Sequence, residues 1–145
     1  MLKTALLLMI AAGAARAEFL HLEVFMRDMS CESCSESLGS AIKRMRGVEN
    51  VTVDFKAGTV AVELAPQNHV GVEQVWDAIK RVGFTPGETK VVVRGTVAGQ
   101  RLEVPEIGKT FEIEGRTTEG QGVQLKGTIQ PPPDPRTPIR IRVSE

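Results

Sequence analysis

Apolar and polar residues alternate at the start of the ordered-looking part of the chain. Leu20, Leu22, Val24 and Met26 fall on one side and His21 and Glu23 on the other, which predicts a half-buried strand. The period then changes. Leu38, Ala41, Ile42 and Met45 recur at i, i+3, i+4 and i+7, the stripe of an amphipathic helix, with Lys43, Arg44 and Arg46 loading its last turn and Gly47 ending it. Period two returns in Val51, Val53 and Phe55. The turn residues Lys56-Ala57-Gly58 lead into Val60, Val62 and Leu64, so this stretch reads as a hairpin. After a loop at 66–69, Val72, Val75, Trp76, Ile79 and Val82 predict a second helix that stops at Gly83.

Strand, helix, strand, strand, helix, with residues 90–97 able to supply a closing strand, is the order of a split βαβ arrangement. Both helices then cover one face of an antiparallel sheet. The loop after the first strand lies at its edge, open to solvent. Phe19 and Phe25 fall by alternation on the face away from the helices, which predicts that this face is covered by the rest of the chain. Beyond about Thr89 no helical period recurs, and short β-rich runs alternate with glycine turns. The candidate strands are 90–98, 101–104, 110–114, 122–130 and 139–143. Pro131-Pro132-Pro133-Asp134-Pro135 lacks ladder donors and is expected as an extended structural loop before an edge strand.

Composition narrows the function classes. The 145 residues carry 18 basic and 18 acidic side chains, mixed along the chain, so no long-range field favours nucleic acid or an anionic membrane. Lys3, the apolar run 5–12 and Ala15-Arg16-Ala17 have the pattern of a cleaved signal peptide over residues 1–17. The run is shorter than the roughly 20 residues of a permanent membrane span. The mature chain is expected to begin at Glu18 with 16 basic and 18 acidic residues, to be periplasmic or secreted, and to have no stable membrane insertion. No serine, histidine and acid arrangement and no phosphate-cradling glycine loop stands out, so the protein is not expected to be an enzyme.

The chemistry concentrates in Met29-Ser30-Cys31-Glu32-Ser33-Cys34, between the first strand and the first helix. A bridge between Cys31 and Cys34 closes a very short loop and gains little chain entropy, so the pair is better suited to react or to ligate. Cys34 in the first helical turn faces unpaired backbone donors, which favour thiolate, whereas Asp28 and Glu32 oppose it. Two thiolates three residues apart converge on one ion, and their softness selects Cu(I), zinc or a related soft metal over calcium or magnesium. Zinc normally takes four ligands. The chain offers no second cysteine pair, and its two histidines, His21 and His69, read as surface residues. Met26, Met29, Met45 and Trp76 follow the core positions of their elements and read as packing.

This loop resembles the G-M-T-C-x-x-C loop of heavy-metal-associated domains, with the methionine two places before the first cysteine. Gly47-Val48 followed by Val51 and Val53, the hairpin through Gly58, and Gly83-Phe84 after the second helix stand where that family has corresponding features. The resemblance covers about residues 18–90. It implies a ferredoxin-like βαββαβ domain over 18–89. With the β-rich runs beyond it, which have no counterpart in the simplest chaperones, the expected class is α+β, that domain followed by a small all-β module over 90–145. The resemblance also bears on the site. It implies Cys31 and Cys34 as the metal ligands, Met29 tucked beneath the loop, and Phe84 approaching from the far loop. Asp28 stands where the family usually has glycine, Ser30 where it has threonine, and Ser35 where an apolar residue is common.

The expected function is that of an exported metallochaperone or scavenger holding one ion, Cu(I) first, with mercury or zinc as other candidates. Its partners would be proteins that donate or accept the metal, with a metal-bridged homodimer as a further form. Two alternatives stand beside it: an interaction or structural module whose cysteines rest as a disulfide or are vestigial, and thiol-disulfide exchange.

Overall fold

The computed structural model describes residues 16–144. Its elements in chain order are β1 (Glu18–Met26), α1 (Glu32–Lys43), β2 (Val48–Asp54), β3 (Thr59–Leu64), α2 (Val72–Val82), β4 (Pro86–Ala98), β5 (Arg101–Val104), a 3-10 turn (Pro105–Ile107), β6 (Lys109–Glu114), β7 (Gly120–Ile129) and β8 (Arg140–Val143). The class is α+β. The expected leader at 1–17 lies outside the described residues except for Arg16 and Ala17. No helix among the described residues is long and apolar enough to cross a membrane.

Strands β2, β3, β1 and β4 lie side by side in that order, all neighbours antiparallel, with α1 and α2 inserted as a split βαβ requires. The core sits between sheet and helices. Leu22, Val24, Met26, Val60, Val62, Val91 and Val93 face Leu38 and Ile42 of α1 and Val75, Trp76 and Ile79 of α2, all buried in one cluster. Helix α2 stops at Gly83, whose φ of +105° is a left-handed conformation that a Cβ would strain. Helix α1 stops sooner than its stripe suggests, at Lys43, and Met45 packs from the turn that follows.

Strand β4 is longer than its sequence run implied and belongs to both halves of the chain, so position 89/90 falls inside it. One edge pairs with β1 through Pro86–Arg94 and then with β5 through Thr96–Ala98; the other pairs with β7 from Thr89 to Val97. Strand β5 pairs with β6, β6 runs parallel to β8, and β8 pairs with β7, which closes a ring of five strands. Inside that ring lie Val97, Leu102, Val104, Phe111, Ile113, Leu125, Ile129 and Ile141. At Gly95 the strands approach so closely that a Cβ would stand 2.6 Å from the Glu103 carbonyl oxygen. Closing the ring also covers the edge that β4 would otherwise expose.

The expectation for Phe19 and Phe25 needs correction. Phe19 pairs with Val93 and Leu22 with Val91, and the register shifts between Phe19 and His21. Cross-strand partners share a face, so this irregularity turns Phe19 to the helix side. There it is fully buried against Phe111 of β6, ring centroids 5.6 Å apart and edge to face. Phe25 stays on the other face and is 46% exposed, so the described residues leave that end of the sheet uncovered.

Two buried polar groups tie the start of β1 to the β3–α2 loop. The Glu18 carboxylate, 4% exposed, accepts the backbone N–H groups of Gln67 and Asn68. The Asn68 amide donates to the carbonyls of Phe19 and Ala65, and its oxygen accepts from Val70 N–H. Such satisfaction is what a buried polar side chain requires.

Candidate metal centre

The cysteine loop owes its position to β1 and α1. Strand β1 ends at Met26, whose N–H donates to Gly58 O at 2.8 Å, and α1 begins at Glu32. Five residues lie between. Cys31 is the N-cap of α1: its backbone is extended, and its Sγ accepts the Cys34 N–H at 3.3 Å, the place usually filled by a serine or aspartate oxygen. The Ser33 hydroxyl donates to the same sulfur at 3.2 Å. Both cysteines are half-buried, and Met29 from the loop and Cys34 from the first turn of α1 pack onto the core. Met29 therefore sits beneath the loop as packing.

Cys31 and Cys34 are joined as a disulfide, with Cα atoms 5.2 Å apart. The expectation of a reduced, deprotonated pair therefore does not describe this state. A bonded pair of sulfurs presents no thiolate, and the metal-binding form is reached only by reducing it. Geometry brings the two expected ligands together; their oxidation state was not legible from spacing. His21 and His69 stand elsewhere. His21 pairs with Glu63 on the open sheet face at 2.8 Å, and His69 is exposed in the β3–α2 loop. Among the described residues no group of three or more histidine, cysteine, aspartate or glutamate side chains is placed to hold a metal. A closed four-ligand zinc site is therefore not assembled within this part of the chain.

Phe84 is 7% exposed and buried in the same core cluster against which Met29 and Cys34 pack. Thr85, its neighbour, makes a contact that sequence reasoning did not foresee. The Asp28 carboxylate accepts the Thr85 N–H at 2.9 Å with one oxygen and the Thr85 hydroxyl at 3.1 Å with the other. The Thr85 N–H bond, chiefly, holds the Asp28 carboxyl below its ordinary range. In the sequence Asp28 stands out only as the residue in place of glycine and as a charge beside the cysteines.

The heavy-metal-associated domain model matches residues 23–85, which run from within β1 to the loop before β4. A copper chaperone CopZ from Staphylococcus haemolyticus (strain JCSC1435) is 36% identical over 56 residues, 39% of this chain and 81% of that protein. The chain belongs to the heavy-metal-associated domain family. Solved structures similar to it include a CopZ metallochaperone, 29% identical, covering 46% of this chain and 97% of that one with a TM-score of 0.42. Another is oxidised MerP from Ralstonia metallidurans CH34, 20% identical, covering 47% of this chain and 93% of that one with a TM-score of 0.43. The family membership rests on the 23–85 segment, and the strand order β2-β3-β1-β4 is read from this chain's own pairings.

Proposed function

We propose that this chain is an exported, periplasmic or secreted metallochaperone or scavenger that carries one Cu(I) ion between Cys31 and Cys34. The observation that carries the reading is the pair itself: two half-buried sulfurs brought together at the N-terminus of α1, in the family segment, on a loop open to solvent. A relative of 36% identity is a copper chaperone, which favours copper. Two soft ligands, with no third or fourth beside them among the described residues, favour a cation content with two sulfurs, Cu(I) before zinc; mercury shares that preference.

Loading begins with reduction. A partner dithiol gives two electrons and two protons to the Cys31–Cys34 bond, becomes a disulfide itself and leaves two thiols. The incoming ion then displaces the thiol protons, and the Cys34 N–H and Ser33 hydroxyl remain to stabilise negative charge on Cys31 Sγ. Delivery follows by ligand exchange with an acceptor's thiolates. Nothing in this cycle needs catalytic acid-base groups, and we assign the protein no enzymatic role.

In this reading the strands from β4 onward form a module that selects the partner. Their order, with one parallel pair, matches the five-stranded Greek-key barrel of the oligonucleotide- and oligosaccharide-binding type. The exposed residues of β5 and β6 argue against nucleic acid: Arg101, Glu103, Lys109, Thr110 and Glu114 mix both charges and include no aromatic ring to stack a base.

Titrating the reduced protein with Cu(I) against a chromogenic chelator tests the proposal. One ion per chain should be retained, and the Cys31→Ser, Cys34→Ser variant should retain none; equal retention in the variant would end it. The observed disulfide favours one other reading, an interaction module whose cysteines stay oxidised. A reduction potential below about −300 mV, in the range of structural disulfides, would support that reading instead.

A further inference from the structure

We infer that Asp28 and Thr85 form a clamp that slows departure of the ion from the cysteine loop. This rests on the metal-carrier reading above and names a positioning pair for it. The clamp has three bonds. Besides the two from Thr85 to the Asp28 carboxylate, Arg27 N–H donates to Thr85 O at 3.4 Å, so two loops 57 residues apart are stitched side by side. Both Asp28 and Thr85 are exposed, and a surface pair of this kind adds little to global stability. Its effect is local.

Between Asp28 and the first residue of α1 lie only Met29, Ser30 and Cys31. Cys34 is fixed within the helix, so Cys31 is the sulfur that must swing outward when an acceptor's thiolate replaces it. The clamp holds the near end of its short tether, and Met29, packed on the core, holds the middle. Opening the clamp lengthens the free segment on the β1 side. The lowered pKa of Asp28 agrees with a carboxylate that stays ionised and bonded while the loop is closed.

The test loads reduced wild type, Asp28→Ala, Asp28→Asn, Thr85→Val and the Asp28→Ala, Thr85→Val double variant with Cu(I). Each is mixed with excess chromogenic Cu(I) chelator, and the transfer rate is followed by stopped flow. Asp28→Ala should transfer about three- to tenfold faster, the factor for losing roughly one hydrogen bond at an open site. Thr85→Val, which keeps the backbone N–H, should fall between it and wild type, and the double variant should be no faster than Asp28→Ala. Unchanged rates, multiplying effects, or an Asp28→Asn rate equal to Asp28→Ala with Thr85→Val unaffected would overturn the clamp. The last pattern would mean that Asp28 acts by charge alone. Should wild type retain no Cu(I), the carrier reading falls, and the clamp is judged by amide exchange at Met29, Ser30 and Cys31. Exchange there must quicken in Asp28→Ala, and unchanged protection would refute the clamp.

Discussion

Replacing Phe111 with alanine asks whether the two halves of this chain stand or fall together. Phe111 is 1% exposed inside the five-strand ring, and its ring meets the fully buried Phe19 of β1 edge to face. Truncating such a residue costs about 3–5 kcal/mol through lost transfer energy and the cavity left behind. The aromatic pair accounts for roughly 0.5–1.5 kcal/mol beyond its area. With a urea slope of about 2 kcal/mol/M for a chain of this size, the unfolding midpoint should fall by roughly 2 M. The reporter is Trp76, the single tryptophan, which lies on α2 with its indole N–H donating to the buried Thr89 at 2.9 Å. Strand β4 is common to both sheets of contacts, so damage inside the ring should pull the Trp76 transition down with it. If the variant is too weak to fold, Phe111→Leu should show the same coupling with a loss of about 1–2 kcal/mol. A Trp76 midpoint that stays put while amides of β5, β6 and β8 lose protection would refute the claim that the halves form one cooperative unit.

Other outcomes follow from single contacts. Gly95→Ala should cost about 2 kcal/mol and lower Tm by roughly 6–10 °C, because its Cβ would meet backbone 2.6 Å away; an unchanged thermal transition would refute the close approach. Asn68→Ala should cost about 3 kcal/mol in urea unfolding by removing its bonds to the buried Phe19 carbonyl, the half-buried Ala65 carbonyl and the Val70 N–H, and a loss under about 1 kcal/mol would contradict the bonding described. The Asp28 carboxyl is depressed on folding, so its contribution is fully present above the ordinary value of 3.8 and fades as pH falls through the lower folded value. Carboxyl NMR should put the Asp28 midpoint below 3.8, and a midpoint at or above it would contradict the clamp geometry.

Much of the fold was legible because one buried face imposes a regular period. The stripe through Val72, Val75, Trp76 and Ile79 defined α2, and the alternation on either side of Lys56-Ala57-Gly58 defined the β2–β3 hairpin. What escaped depends on pairing between distant segments. Alternation assumes an unbroken strand, and the irregularity between Phe19 and His21 reversed the side on which Phe19 falls. No local pattern states that Thr89 will pair with Ile129, yet that ladder closes the ring and makes β4 a shared strand. At the site, the C-x-x-C spacing and the neighbouring helix pointed to Cys31 and Cys34. Whether those sulfurs are bonded to each other depends on redox conditions rather than on spacing. Thr85 was invisible because a hydroxyl one residue past Phe84 has meaning only once its loop is seen beside Asp28.

Copper K-edge absorption of the reduced, copper-loaded protein reads the ligands of the carried ion directly. Two sulfur scatterers per copper and no nitrogen or oxygen shell is the predicted result, one ion shared by Cys31 and Cys34. A shell of nitrogen or oxygen atoms, or protein that emerges from gel filtration without copper, would contradict the account.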